Sequence, residues 1–155
     1  MTVLVPEESQ RLHRLIAYYQ VPLGLSQDQQ AGAACVWCGG PAGPDAVGLE
    51  YPGYHGCPDC YLARISWLIT WYAWQQHVLD CTPCRQQRTC YVGRGRRIRH
   101  ELTIVPAGKE PLFCSVCHRP VDADEPAMPV FCEGDSGTHL GYGHTHCLAQ
   151  RVTSR

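Results

Sequence analysis

The sequence predicts a small, helix-rich α+β protein, made of two similar modules joined by a long central helix and cross-linked through its cysteines. Three observations predict it. Ten of the eleven cysteines fall into regularly spaced groups. Two of the groups repeat one pattern at a fixed offset. Between them runs a helical stretch from about Pro58 to Asp80, uninterrupted by glycine or a second proline.

The first group is Cys35-Val-Trp-Cys38, followed after eighteen residues by Cys57-Pro-Asp-Cys60. The last is Cys114-Ser-Val-Cys117, followed after twenty-six residues by His144-Thr-His-Cys147. Between them lie His77, Cys81, Cys84 and Cys90. Four sulfur or imidazole donors per group is what a tetrahedral zinc ion takes, and paired Cys-x-x-Cys turns supply them without strain. The sequence therefore predicts three Zn2+ ions. Modules this small cannot bury enough apolar surface to fold on a hydrophobic core alone, so metal is expected to carry much of their stability.

The competing explanation for so many cysteines is a disulfide-rich secreted chain. The opening MTVLVPEESQRLHRL has no basic n-region, no apolar h-region and no small-residue cleavage site. An odd cysteine total and four Cys-x-x-Cys pairs also fit metal better than bridges. The expected compartment is a reducing cytoplasm. The most apolar stretch, Ile65 to Trp74, is too short to span a bilayer, so no membrane partner is expected.

The elements follow in order. Pro6-Glu7-Glu8 with Leu12, Leu15, Ile16 and Tyr19 predicts an amphipathic helix with acids in its first turn. Val21-Pro22-Leu23-Gly24 ends it, and Ser26 caps a second short helix through about Ala34. A Cys-x-x-Cys-Gly-Gly turn, a Gly/Pro-rich loop, a strand over Val47–Tyr51 and a second turn lead to the central helix, where Pro58 suits the first turn. Trp67, Trp71 and Trp74 recur at i, i+4 and i+7 on that helix. Such a stripe could stack on nucleobases. It reads better as core, holding the N-terminal helices to the first module.

Shifted by 79 residues, Cys35, Cys38, Pro41 and Asp45 fall on Cys114, Cys117, Pro120 and Asp124. Shifted by 87, Cys57, Cys60 and Arg64 fall on His144, Cys147 and Arg151. An internal duplication explains both sets, with eight extra residues enlarging a second hairpin around Phe131 to Leu140. Only His144 matches Cys57 in the repeat, so His144 rather than His146 is the expected ligand. Cys132, His139 and His146 stay unassigned. The expected divisions are 1–34 for the N-terminal helices, 35–80 and 110–155 for the two modules, and 77–109 for the middle metal site with its basic segment.

Knuckle, hairpin, then a ligand pair at a helix N-terminus resembles the treble-clef zinc fold, over 26 residues in the first copy and 34 in the second. The resemblance implies fold and zinc but no function, because that fold serves nucleic-acid binders, adaptors and nucleases alike. In the middle group, His77, Cys81 and Cys84 are expected on one face of the long helix, with Cys90 closing the set from the following turn. The His-x3-Cys-x2-Cys spacing resembles the motif of bacterial zinc-binding anti-sigma factors.

Charge is unevenly spread. Net charge is −4 over residues 1–80, +6 over 81–109 and −3 over 110–155. The basic island holds Arg85, Arg88, Arg94, Arg96, Arg97 and Arg99 with no acid among them. Such a cluster could grip phosphates by bidentate hydrogen bonds, or complement acidic protein surface. Gly93 and Gly95 weaken the expectation of a rigid helix there.

Catalytic readings fit poorly. Four thiolates leave no open metal position, a glutaredoxin-type Cys57-Pro-Asp-Cys60 lacks its strand–helix–strand frame, and the zinc-deaminase pattern is missing its His-x-Glu. The expected function is a non-enzymatic multi-zinc protein, a bacterial DNA-associated or transcription-regulating factor working through the arginines. The alternative is a protein–protein adaptor of anti-sigma type, and a third class is a nuclease-like enzyme.

Overall fold

A computed structural model describes residues 6–50, 53–135 and 137–153. The chain divides into two compact units, Met1–Ile69 and Thr70–Arg155, and the long helix supplies residues to both.

In the first unit, α1 (Pro6–Gln20) carries Glu7 and Glu8 in its first turn and buries Leu12, Ile16, Ala17 and Gln20. Helix α2 (Gln27–Gln30) is capped as the sequence predicts. The Ser26 hydroxyl accepts from the Gln29 N–H at 3.3 Å, and the Gln29 side chain accepts from the Ser26 N–H at 2.8 Å. It stops well short of Ala34. The N–H groups of Ala33 and Ala34 turn back onto the Asp28 carbonyl, and Gly32 sits at φ 77°. A Cβ there would come within 2.3 Å of the Gly53 carbonyl oxygen, so only glycine lets these strands of chain approach. Strands β1 (Val47–Gly48) and β2 (His55–Gly56) form a minimal antiparallel pair. This is shorter than the expected strand, and Tyr51 lies outside the described residues. Ala17, Val36 and Leu49 form the core, with Val21, Leu25, Trp37, Tyr54 and Tyr61 packed against it.

Helix α3 (Pro58–Asp80) has the bounds its sequence suggests. It does not extend to Cys84. Cys81 is extended (φ −90°, ψ 114°) and caps a separate turn, α4 (Thr82–Arg85), followed by α5 (Tyr91–Ile104). The cause is Pro83, which lacks the N–H that a continuing helix needs and whose ring would collide with the turn before it; it is accommodated instead in the first turn of a new helix, α4, with the break at Cys81. The expectation of three ligands on one helical face is corrected accordingly.

The second unit is built on an antiparallel hairpin of β3 (Ala127–Gly134) and β4 (Gly137–His144), which pair from Ala127↔His144 to Gly134↔Gly137. Helix α6 (Thr145–Thr153) follows directly. Trp71 and Trp74 are buried here. The Trp71 indole N–H donates to the Gly141 carbonyl at 3.2 Å, and its ring meets Phe131 edge-on at 5.2 Å. Trp74 stacks on Tyr142 at 6.0 Å. The tryptophan stripe is therefore core, and Trp71 and Trp74 pack against the second hairpin. At 1.5 Å per residue α3 is about 35 Å long, more than one small module can cover.

The repeat is visible in the backbone. The Cys35 N–H bonds to the Gly40 carbonyl at 2.7 Å, and the Cys114 N–H to the Arg119 carbonyl at 2.9 Å. Ala34 bridges Pro41 as Phe113 bridges Pro120. The Val36 N–H reaches the His55 carbonyl as the Ser115 N–H reaches the Tyr142 carbonyl, both at 2.9 Å. The offsets are the same 79 and 87 residues found in the sequence. Gly39 and His118, equivalent in the repeat, both have positive φ at the end of the knuckle.

Candidate metal centres

Each of the three predicted ligand sets is assembled, with every donor atom in a set within 4.8 Å of the others. A zinc ion with bonds of about 2.3 Å to sulfur and about 2.0 Å to nitrogen places its ligands roughly 3.5–3.8 Å apart. Cys38 and Cys57 are 4.0 Å apart, Cys81 and Cys84 are each 3.7 Å from Cys90, and His144 Nδ1 lies 3.4 Å from Cys117 and 3.8 Å from Cys147. All eleven cysteines are free thiols. The spacing suits a metal ion, and the soft sulfur and imidazole donors suit zinc.

In the first set, Cys35 and Cys38 come from the knuckle, Cys57 precedes α3, and Cys60 lies in its first turn. Burial raises the Cys35 pKa, but backbone N–H groups of Cys38, Cys57 and Trp37 outweigh it and bring the thiol to about 7. Burial and the neighbouring thiols push Cys60 up, so without a metal these groups compete for protons. Arg64, one turn beyond Cys60, lies over the Trp37 ring at 5.0 Å and interacts with the charges of Cys60 and Cys35. It places a cation beside this set of cysteines.

The second set joins three elements. His77 is on α3, Cys81 and Cys84 are on the α4 turn, and Cys90 caps α5. His77 Nε2 lies 3.1 Å from Cys90 Sγ. The Gly93 N–H donates to Cys90 Sγ at 3.2 Å. That bond, followed by the His77 contact, lowers the Cys90 pKa to about 6, as expected of a thiolate at a helix N-terminus. A Cβ on Gly93 would stand 2.9 Å from Cys84 Sγ. A side chain at position 93 would crowd this ligand set.

The third set contains a residue that spacing rules missed. His144 is fully buried, with Nδ1 facing the cysteines and Nε2 2.9 Å from Glu125 Oε2. With the proton on Nε2 donated to Glu125, Nδ1 is left free to bind metal. Glu125 is held by the Asp122 N–H at 3.0 Å and by Arg119 at 3.5 Å. The Asp122 N–H first, then His144 and Arg119, lower its pKa and keep it ionised. Backbone N–H groups of Cys117, His144 and Val116 overcome burial to bring Cys114 to about 6, whereas burial pushes Cys147 up to about 11. His146 stacks on His144 at 5.1 Å outside the set, and Cys132 and His139 face each other across the hairpin, also outside it.

The arginines divide. Arg85, Arg88, Arg94, Arg96 and Arg99 are exposed. Arg94 pairs with Asp124 at 3.3 Å. Arg97 is only 5% exposed and is withdrawn from the phosphate-contacting set. Its guanidinium donates to Glu101 and to the carbonyls of Val121, Asp122 and Glu125. The signal was present, since Gly93, Arg97, His100 and Ile104 share one helical face, and all four are buried. The segment is helical despite Gly93 and Gly95.

Among the described residues no helix is long and apolar enough to cross a membrane. No protein-family model matches the chain, and neither does any curated protein or solved structure.

Proposed function

We propose that this chain is a non-enzymatic zinc protein, two treble-clef modules with a third zinc between them in sequence, and that it works as a protein-binding adaptor. The observation that supports it best is the outer face of α5, where exposed arginines alternate with exposed apolar side chains. Four protein donors in each set complete a tetrahedron, which is the pattern of structural rather than catalytic zinc. The metals then hold the modules, and the chemistry of the surface does the binding.

A DNA-associated role is the second reading. It rests on Arg85, Arg88, Arg96 and Arg99, which are exposed. Burial of Arg97 and the pairing of Arg94 with Asp124 remove two of the six arginines from that account. Apolar residues on the same face suit protein better than phosphate.

The test is retention of the zinc-loaded protein on duplex DNA across a salt series. The adaptor reading expects little retention at moderate salt. Strong retention, falling steeply with salt and lost when Arg85, Arg88, Arg96 and Arg99 become alanine, would replace it with the DNA reading. Native mass spectrometry should count three zinc ions per chain.

A further inference from the structure

Helix α5 buries Gly93, Arg97, His100 and Ile104. At 100° per residue, the direction opposite that face carries Tyr91, Gly95, Ile98, Leu102 and, one turn on, Val105. Tyr91 is 93% exposed, Leu102 74% and Val105 84%, with Ile98 half-exposed. This is a continuous apolar stripe along the helix, turned outward. Arg99 borders it on one side, with Arg96 farther round the helix, and Arg94, paired with Asp124, borders it on the other, all exposed.

Gly95 lies in the middle of the stripe, and no internal requirement explains it. A Cβ there would meet nothing within 4 Å, and its φ is not positive. Glycine inside a helix costs about 1 kcal/mol relative to alanine. Gly93, two residues earlier, is accounted for by the crowding at Cys84, whereas Gly95 lacks any such reason on its own chain. A small residue between large ones on an exposed helix face lets a second helix cross closely, with its side chains set into the gap.

We infer that the outer face of α5 docks an acidic amphipathic helix of a partner protein, crossing at Gly95. This rests on the adaptor reading and names the partner's chemistry. The apolar stripe would meet the partner's apolar seam, and carboxylates beside that seam would face Arg99 and, beyond it, Arg96. A second copy of the chain is a poor occupant, because the same arginines would oppose one another. Duplex DNA offers phosphates to the arginines but nothing to Tyr91, Ile98 and Leu102.

The experiment is selection of a displayed library of amphipathic helical peptides, randomised in charge, against the full zinc-loaded chain. Selected peptides are expected to converge on Asp and Glu flanking an apolar seam. Ile98→Asp, Leu102→Asp and Gly95→Leu should each weaken their binding about tenfold or more, since each sets a charge or bulk into an apolar contact. Arg96→Glu with Arg99→Glu should do the same, while Gly95→Ala should weaken it less than Gly95→Leu. All these positions are exposed, and zinc content checks that the variants fold. Selected peptides that still bind Leu102→Asp would overturn the site and leave the adaptor reading standing. Enrichment of basic or uncharged peptides would overturn the partner's chemistry. Failure to enrich any peptide, with arginine-dependent capture of duplex DNA, would overturn both. Binding to phosphatidylserine vesicles that Leu102→Asp abolishes, without peptide enrichment, would assign the stripe to a membrane surface and also overturn the inference.

Discussion

Glu125 lies nineteen residues before His144 in sequence, yet it fixes that imidazole at 2.9 Å. Carboxylates in this position raise the basicity of a metal-bound histidine and hold its orientation, and losing one typically costs 10–100-fold in metal affinity, by order of magnitude. Glu125→Gln should therefore weaken zinc at the third site by about that factor while the first site keeps its metal. Titration of the zinc-loaded variant with a chromophoric chelator would measure it; release indistinguishable from the parent would show that Glu125 is a bystander. Arg97 carries a larger structural role. Removing its side chain takes this donor from the Val121 and Glu125 carbonyls and leaves the Asp122 carbonyl only the Glu125 N–H. Arg97→Ala should cost about 3 kcal/mol, the scale of unmade buried bonds to a charged group. Arg94→Ala, which loses only an exposed pair with Asp124, should cost less than about 0.5 kcal/mol. Urea denaturation of both variants separates the two roles. Glu125 was not legible from spacing, because it acts through a contact that joins distant parts of the chain, whereas the burial of Arg97 could be read from its place on the face of Gly93, His100 and Ile104, though its partners could not.

At the scale of elements, local signals were reliable wherever they were strong. Ser26 with Gln29 gives a capping box, Pro58 opens α3, and the ligand spacing assembles three sets. The helix break at Cys81 followed from Pro83, but the even i, i+4, i+7 run of ligands masked it. The two glycines of α5 read alike in sequence and should respond in opposite directions. Gly93→Ala pushes a methyl group to 2.9 Å from Cys84 Sγ and should loosen the His77 set. Gly95→Ala has open space and should stabilise α5 by about 0.5–1 kcal/mol. Thermal melting with zinc counting would check both. If Gly95→Ala destabilises the isolated protein, an internal role for Gly95 has been missed.

Across the whole molecule, the duplication was legible because ligand spacing is a local code, and the backbone bonds repeat at the same offsets. How the tryptophans are shared out was not, because periodicity names a buried face without naming what covers it. Trp74 packs against His100 of α5 and Tyr142 of β4, so the His77 set and the Cys114 set are backed by a common core. The sequence alone suggests that the metal sites fail singly. Their packing argues for a different result. Cys35→Ser should remove one zinc and leave the two of the 70–155 unit in place. Cys114→Ser should release its own zinc and also weaken the His77 site, since structural zinc sites contribute on the order of 10 kcal/mol, comparable to the whole stability of a small domain. Native mass spectrometry during a chelator titration distinguishes these courses. Loss of a single ion from Cys114→Ser, with the His77 site as tight as in the parent, would show that the shared tryptophan core does not couple them.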